Sequence, residues 1–170
     1  SLLELSGNNA LIIDESANLN HAIPSVVFGA VGTCGQRCTS TRRLLVHESR
    51  IDEILPIIKH AYAQVKIGDP LDKSVLMGPL IDQAVVEQYL TAITTATSAG
   101  GELIYGGKVI EGPGNFVEPT IIRAENHWEV VQNETFAPIL YVMTFSTIEQ
   151  AIDMQNHARQ GLSSSIFTNS

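Results

Sequence analysis

Residues 32–47, GTCGQRCTSTRRLLVH, join the end of a predicted helix to the start of a predicted strand. Gly32 and Gly35 weaken a helix, and we expect them to end it before Cys38. Residues 43–47 then have the apolar character of a strand. The preceding helix has one apolar face at 3-4-7-8 spacing, formed by Ile23, Val26, Val27, Ala30 and Val31. The stretch therefore predicts a helix–loop–strand unit with a cysteine in its loop.

Helices and strands alternate along the rest of the chain. Strands are predicted at residues 10–13, 43–47, 102–107, 116–122, 139–145 and 163–168. Helices are predicted to start at Asn20, Ser49, Asp82 and, with Gln150 in a capping box, Thr147. They are expected to end before Cys38, at Gly68, at Gly100 and near Gly161. This alternation predicts an α/β fold with a mostly parallel sheet flanked by helices.

The composition is that of a folded acidic protein. Hydrophobic residues make up 44% of the 170 residues, and the net charge of −8 argues against nucleic-acid binding, which needs a basic face. No apolar run approaches the roughly 18 residues of a membrane helix. The two cysteines are too few for a disulfide framework, and the five histidines show no metal-ligand spacing. We therefore expect reduced thiols, a cytoplasmic location and no metal, nucleic-acid or membrane partner.

Cys38 lies in an unusually cationic stretch. A thiol attacks as the thiolate, and neighbouring cations such as Arg37 lower a thiol pKa. A cysteine is also commonly a small buried apolar residue, so this stretch alone leaves both interpretations open. Arg42 and Arg43 are interpreted as strand-edge or interface residues, because arginines are mostly exposed. Cys34 is interpreted as structural.

Glu4 is the one carboxylate in the apolar run LLELSGNNALII, residues 2–13. Apolar surroundings raise the pKa of a carboxylate and make it able to act as a general base. The alternative is a solvated carboxylate at a strand end with no role in chemistry. Glu4 precedes Cys38 by 34 positions.

Three motifs follow one another in a familiar order: ELSGNN at 4–9, GQRC at 35–38 and NETFAPI at 133–139. Their sequences and separations resemble those of the aldehyde dehydrogenase superfamily. Further stretches fit the same pattern: GPLID at 78–82, FVEPTI at 116–121 and GLSSSIFT at 161–168. Ser6 stands where the superfamily usually has glycine, and Ala137 likewise. We expect the Ser6 backbone to need a conformation that glycine tolerates better.

The resemblance covers essentially the whole chain and extends to one branch of the superfamily. ELSGNNA, AVGTCGQRCT and PGNFVEPTI look most like the antiquitin type. That resemblance implies a carboxylated semialdehyde, such as α-aminoadipic semialdehyde, as the substrate. It also implies a place in lysine catabolism.

The resemblance implies a nucleophile and a base. Cys38 would attack an aldehyde, and the adduct would pass through a thioester after hydride transfer to NAD, with NADP possible. Glu4 would activate the water that hydrolyses the thioester. The backbone N–H of Cys38 would form half of an oxyanion hole.

Five further residues take binding roles by the same resemblance. Glu134 would hold the ribose next to nicotinamide, and Phe136 and Leu5 would line the cofactor pocket. Arg37 would bind the substrate carboxylate, and Thr39 would border the substrate. The alternatives are an ordinary loop carboxylate for Glu134 and simple core packing for Phe136.

Members of the superfamily are much longer than this chain. We therefore expect residues 1–170 to be a single catalytic domain, truncated at both ends, without the nucleotide-binding domain. The chain opens with Ser1 and has no G-x-G-x-x-G, which agrees with that expectation. The piece alone is expected to lack dehydrogenase activity, and its parent to be a homo-oligomer.

Two other functions stay open on the sequence. A cysteine esterase needs a nucleophile and a base but no cofactor, although no histidine is obviously placed to serve Cys38. A non-enzymatic alternative is an inert fragment that associates with itself through exposed former interfaces.

Overall fold

Six strands form one sheet in the computed structural model, which describes residues 1–169. They are β1 (Asn9–Ile13), β2 (Thr41–His47), β3 (Glu102–Tyr105), β4 (Thr120–Arg123), β5 (Ile139–Phe145) and β6 (Ser164–Phe167). The order across the sheet is β3-β4-β5-β2-β1-β6, and every neighbouring pair is parallel except β3 and β4. This confirms the predicted α/β fold with a mostly parallel sheet.

The helices lie between the strands in the chain, as the alternation predicts. They are α1 (Leu19–Val31), α2 (Ile51–Ala63), α3 (Gln83–Ser98), α4 (Glu129–Gln132) and α5 (Ile148–Asn156). Short 3₁₀ turns occupy Gly32–Gly35 and Glu48–Arg50. Helix α1 packs on β2 and β5, and α5 packs on β1 and β5.

The core lies around the middle strands. Leu44, Leu45 and Val46 of β2 are completely buried. Successive side chains of a strand point to opposite faces, so both faces of the sheet are covered here. Burying such a side chain contributes roughly 1.5–3 kcal/mol. The centre of the sheet is therefore a firm support for the loops attached to its strands.

Two of the predicted helix caps are confirmed. The Asp82 carboxylate accepts a hydrogen bond from the Val85 N–H at 2.9 Å. The Thr147 hydroxyl accepts one from the Gln150 N–H at 3.3 Å. The cap of α1 was predicted two residues too late. The capping residue is Asn18, whose side chain accepts a hydrogen bond from the Asn20 N–H at 3.0 Å.

Other element boundaries differ from the prediction. Helix α2 begins at Ile51, because the His47 ring caps the Ser49 N–H and the 3₁₀ turn comes first. Helices α2 and α5 end well before Gly68 and Gly161. Strand β4 begins only after Pro119, which has no N–H to donate to a sheet. The four-residue helix α4 was not predicted.

Arg42 and Arg43 are buried, with 3% and 0% of their surface exposed, so the strand-edge interpretation is wrong. The reason is that β2 has a parallel neighbour on each side. The Arg43 guanidinium donates to the Asn8 carbonyl at 2.9 Å and to the Met154 carbonyl at 2.8 Å, and burial lowers its pKa to about 10.

Two further observations concern the described residues 1–169. None of their helices combines the length and the hydropathy needed to cross a bilayer. No three of their histidine, cysteine, aspartate or glutamate side chains are grouped as metal ligands would be.

Candidate active site

Three loops meet at one edge of the sheet. Glu4 precedes β1, Cys38 precedes β2, and Glu134 precedes β5. These strands are adjacent and parallel, so their amino ends lie side by side. The topology thus brings together segments that are far apart in the sequence.

The three loops enclose a cleft of about 590 Å³. All seven residues for which the sequence predicts a role line this cleft, together with Ser6 and Gln36: Glu4, Leu5, Arg37, Cys38, Thr39, Glu134 and Phe136. The nucleophile and base proposed from the motifs therefore face one common space. No histidine lines the cleft in the part of the chain that the structure describes.

The two thiols have different environments. Cys38 is exposed, whereas Cys34 has 1% of its surface exposed. Burial raises the pKa of the Cys34 thiol to about 12, which leaves it protonated and unreactive near neutral pH. Cys38 is thus the thiol that a ligand in the cleft can reach.

The loop before Cys38 has an unusual backbone. Thr33 and Cys34 have φ angles of 54° and 55°, in the left-handed region that costs a non-glycine residue roughly 1–2 kcal/mol. Gly35 follows with φ 67°, and a Cβ on it would lie 2.4 Å from the Ala137 carbonyl oxygen. Ser6 is not among the left-handed residues within 1–169, so the expected strain at Ser6 is absent.

The segment that carries Glu4 touches the backbone of Cys38. A Cβ on Gly7 would lie 1.9 Å from the Cys38 carbonyl oxygen, so only glycine permits this approach. The Asn9 side chain donates to the Cys38 carbonyl at 2.7 Å and to the Ser40 carbonyl at 2.8 Å. These contacts fix the two segments relative to each other.

Glu4 is exposed, and so are its apolar neighbours Leu2, Leu3 and Leu5, at 87%, 76% and 70%. The apolar surroundings predicted for this carboxylate are therefore not formed by the described residues. The run LLEL is apolar in sequence but lies before β1, where nothing in residues 1–169 covers it.

Arg37 is half-buried beside the cleft. Its Nη2 donates to the Phe28 carbonyl at 3.0 Å, and its guanidinium lies 4.9 Å from the centre of the Phe28 ring. Its buried Nε has no hydrogen-bond partner within residues 1–169. Arg37 thus presents a partly exposed cation to the cleft.

Glu134 and Phe136 are the cleft residues on the loop that precedes β5. The Glu134 Oε1 accepts from the Gly7 N–H at 3.2 Å and lies 3.1 Å from the Arg42 Nη2. Phe136 keeps 36% of its surface exposed and has the Arg42 guanidinium 5.3 Å from its ring centre. Simple core packing does not describe this exposed ring.

Sequence reasoning missed three residues that shape the site. Arg42 and Asn9 donate hydrogen bonds to the backbone around Cys38. The sequence signal that could have identified them is a polar side chain within a buried strand. Gln36 belongs to the GQRC motif and received no role. Its amide donates to the Pro79 carbonyl at 3.1 Å and accepts from the Ile81 N–H at 2.9 Å.

Comparison with known proteins identifies the class. Residues 1–170 match the model of the aldehyde dehydrogenase family, and the chain belongs to that family. The α-aminoadipic semialdehyde dehydrogenase of Bos taurus is 52% identical over 169 residues, which are 99% of this chain and 31% of that protein. Aldehyde dehydrogenase family 7 member A1 of Brassica napus is 52% identical over 170 residues, 100% of this chain and 34% of that protein.

These relatives confirm the predicted resemblance to the antiquitin branch. The chain spans about a third of their length. Betaine aldehyde dehydrogenase from Staphylococcus aureus, solved in complex with NAD+, superposes with a TM-score of 0.95 at 28% identity over 98% of this chain and 34% of that one. Lactaldehyde dehydrogenase from Escherichia coli gives 0.94 at 32% identity, over 98% and 35%.

Proposed function

We propose that this chain is the thiol-bearing catalytic part of an NAD(P)-dependent aldehyde dehydrogenase. Its substrate would be a carboxylated semialdehyde such as α-aminoadipic semialdehyde, oxidised to the acid through a cysteine thioester. The observation that supports this most is the common cleft of Glu4, Cys38 and Glu134, which come from three distant parts of the chain. Relatives about half identical to the chain support the substrate class.

Cys38 forms the covalent bond. Its thiolate attacks the aldehyde carbon, a C–S bond forms, and the carbonyl electron pair moves to oxygen. The backbone N–H of Cys38 donates to that oxygen, and such a donor is worth about 3 kcal/mol. Loss of hydride from the same carbon re-forms the carbonyl and leaves a thioester on Cys38.

Side chains in the cleft suit a nicotinamide dinucleotide. Leu5 and Phe136 offer exposed apolar surfaces for a flat ring, and the second carboxylate oxygen of Glu134 can accept from ribose hydroxyls. NAD(P), when bound, supplies the hydride acceptor. A structural neighbour solved with NAD+ supports this assignment.

Glu4 completes the cycle. Its carboxylate takes a proton from water, and the resulting hydroxide adds to the thioester carbon. The C–S bond then breaks, which releases the acid and restores the Cys38 thiolate. Its place in the same cleft as Cys38, on a segment tied to the Cys38 carbonyl through Gly7 and Asn9, supports this role.

Arg37 would read the charge of the substrate. Its cationic side chain is partly exposed and lines the cleft, which allows it to bind a carboxylate at the far end of the aldehyde. Thr39, exposed on the same loop, would border the substrate.

The rest of the family pattern extends beyond these residues. We propose that residues 1–170 act as one catalytic domain and that the nucleotide-binding domain lies in the part of the relatives that this chain does not cover. The parent would be a cytoplasmic homo-oligomer of lysine catabolism. A purified chain of these 170 residues is expected to make no NADH from NAD and an aldehyde, and NADH formation would contradict this.

The test of the function uses the full-length protein that carries this sequence. With NAD and α-aminoadipic semialdehyde it should form NADH, and Cys38→Ala should abolish NADH formation. Cys34→Ala is the matched control, because Cys34 is buried away from the cleft. Normal NADH formation by Cys38→Ala would remove the thiol from the mechanism.

A further inference from the structure

One buried cation, Arg42, contacts both the segment that carries Glu4 and the loop that carries Cys38. Arg42 of β2 donates from Nε to the Gly7 carbonyl at 3.3 Å. Its Nη2 donates to the carbonyls of Gly35 at 3.2 Å and Arg37 at 3.1 Å, which lie on the loop that leads into Cys38. A rigid guanidinium thus joins the two segments that meet at the cleft.

The same guanidinium also contacts the loop before β5, which carries Glu134. Its Nη1 donates to the Thr135 carbonyl at 2.7 Å, and its Nη2 lies 3.1 Å from the Glu134 Oε1. That oxygen also accepts from the Gly7 N–H, so Arg42 and Gly7 together fix one side of the carboxylate. No hydrogen bond from residues 1–169 reaches its Oε2, so this second oxygen has no protein donor among those residues.

Only arginine can make this set of contacts. Burial lowers the pKa of Arg42, and the nearby Glu134 carboxylate opposes that shift by favouring the charged form. A guanidinium has five N–H donors in a fixed plane, whereas a lysine ammonium has three donors around one point. A lysine at position 42 keeps the charge but cannot donate at once to the Glu4 segment, the Cys38 loop and the Glu134 loop.

We propose that Arg42 is a positioning residue that sets the Glu134 carboxylate and the Cys38 loop in one fixed arrangement. The inference rests on the proposed dehydrogenase function. It adds a residue that links the cofactor-binding Glu134 to the loop that carries Cys38. Through this cation, a change at Glu134 is transmitted to the nucleophile loop even when no cofactor is bound.

Arg43 is a matched control on the same strand. It is at least as buried as Arg42, and its hydrogen bonds go to Asn8, Asn126, Met154 and Gln155. None of these contacts involves Glu134 or the loop from Gly35 to Cys38. A purely structural effect of losing a buried arginine should therefore be shared by Arg42→Lys and Arg43→Lys.

The experiment uses the full-length enzyme with Arg42→Lys, Arg43→Lys, Glu134→Gln and the double variant Arg42→Lys/Glu134→Gln. Arg42→Lys is expected to raise the KM for NAD about tenfold or more, since misplacement of a binding group by about 1 Å has effects of this order. Arg43→Lys should change that KM less than twofold. In the Glu134→Gln background the effect of Arg42→Lys on KM should vanish.

A second measurement needs no cofactor. It does not use the Arg42→Lys variant, so it remains decisive if that variant folds poorly. Iodoacetamide alkylation of Cys38 without NAD should change severalfold in Glu134→Gln, although Glu134 lies on a different loop of the cleft. An unchanged alkylation rate in Glu134→Gln would overturn the proposal. So would equal shifts in the KM for NAD in Arg42→Lys and Arg43→Lys, or an effect of Arg42→Lys that persists without Glu134.

Failure of the proposed function looks different. In that case Cys38→Ala keeps its aldehyde oxidation, whatever the arginine variants do. If Cys38→Ala is inactive and the arginine variants behave alike, the function stands and the role of Arg42 is refuted.

Discussion

Gly7→Ala is the most informative single substitution, because Gly7 is the point where the segment that carries Glu4 touches the backbone of Cys38. A Cβ at residue 7 would lie 1.9 Å from the Cys38 carbonyl oxygen and 3.1 Å from its carbonyl carbon. Since real Cβ atoms essentially never lie closer than 3.0 Å to another heavy atom, the two segments must separate by roughly 1 Å or more. A misplacement of that size costs about 100-fold in rate, or about 2.7 kcal/mol of transition-state stabilisation.

The assay is steady-state aldehyde oxidation by the full-length enzyme, with the thermal unfolding midpoint measured alongside. Gly161→Ala is the control, since a Cβ there meets nothing within 4 Å. We expect kcat/KM to fall about 100-fold in Gly7→Ala and to stay unchanged in Gly161→Ala. A Gly7→Ala enzyme that folds and turns over at the normal rate would refute the argument that this contact sets the geometry of the site.

Three further predictions concern thiols and charge. Burial raises the pKa of Cys34 from 9.0 to about 12, so unfolding above pH 9 releases a proton and the free energy of unfolding falls with pH, by roughly 1.4 kcal/mol at pH 10. Cys34→Ala should flatten that dependence between pH 8 and 10 in denaturant titrations; an unchanged slope would contradict it. A thiol reagent should label Cys38 in the native protein and Cys34 only after unfolding. Arg37→Ala should raise the KM for a carboxylated aldehyde roughly ten- to a hundredfold and spare an uncharged one, while the exposed Arg123→Ala changes neither.

The period of the apolar residues and the motifs together predicted most of the fold. Strands β1, β2 and β5 were placed because short apolar runs are bounded by turn residues. The strand order that brings the loops before β1, β2 and β5 to one cleft was not predicted from the sequence. The motif spacing supplied the candidates Glu4, Cys38 and Glu134.

Tertiary contacts account for what the sequence did not predict. The burial of Arg42 and Arg43 depends on carbonyl groups from distant segments, which no local pattern reveals. Glu4 is exposed because none of the described residues covers the segment before β1, which its apolar sequence does not reveal. The left-handed backbone at Thr33 and Cys34 contradicts local preference, and Gly35, the next residue, packs closely against Ala137.

Pre-steady-state kinetics of Glu4→Gln in the full-length enzyme tests the central claim most directly. If Cys38 and Glu4 act in succession on one substrate, this variant should give a normal burst of NADH followed by a slow steady state. Mass spectrometry of the quenched reaction should then find the acyl group on Cys38. A steady state at the normal rate, or an acyl group absent from Cys38, would contradict the account.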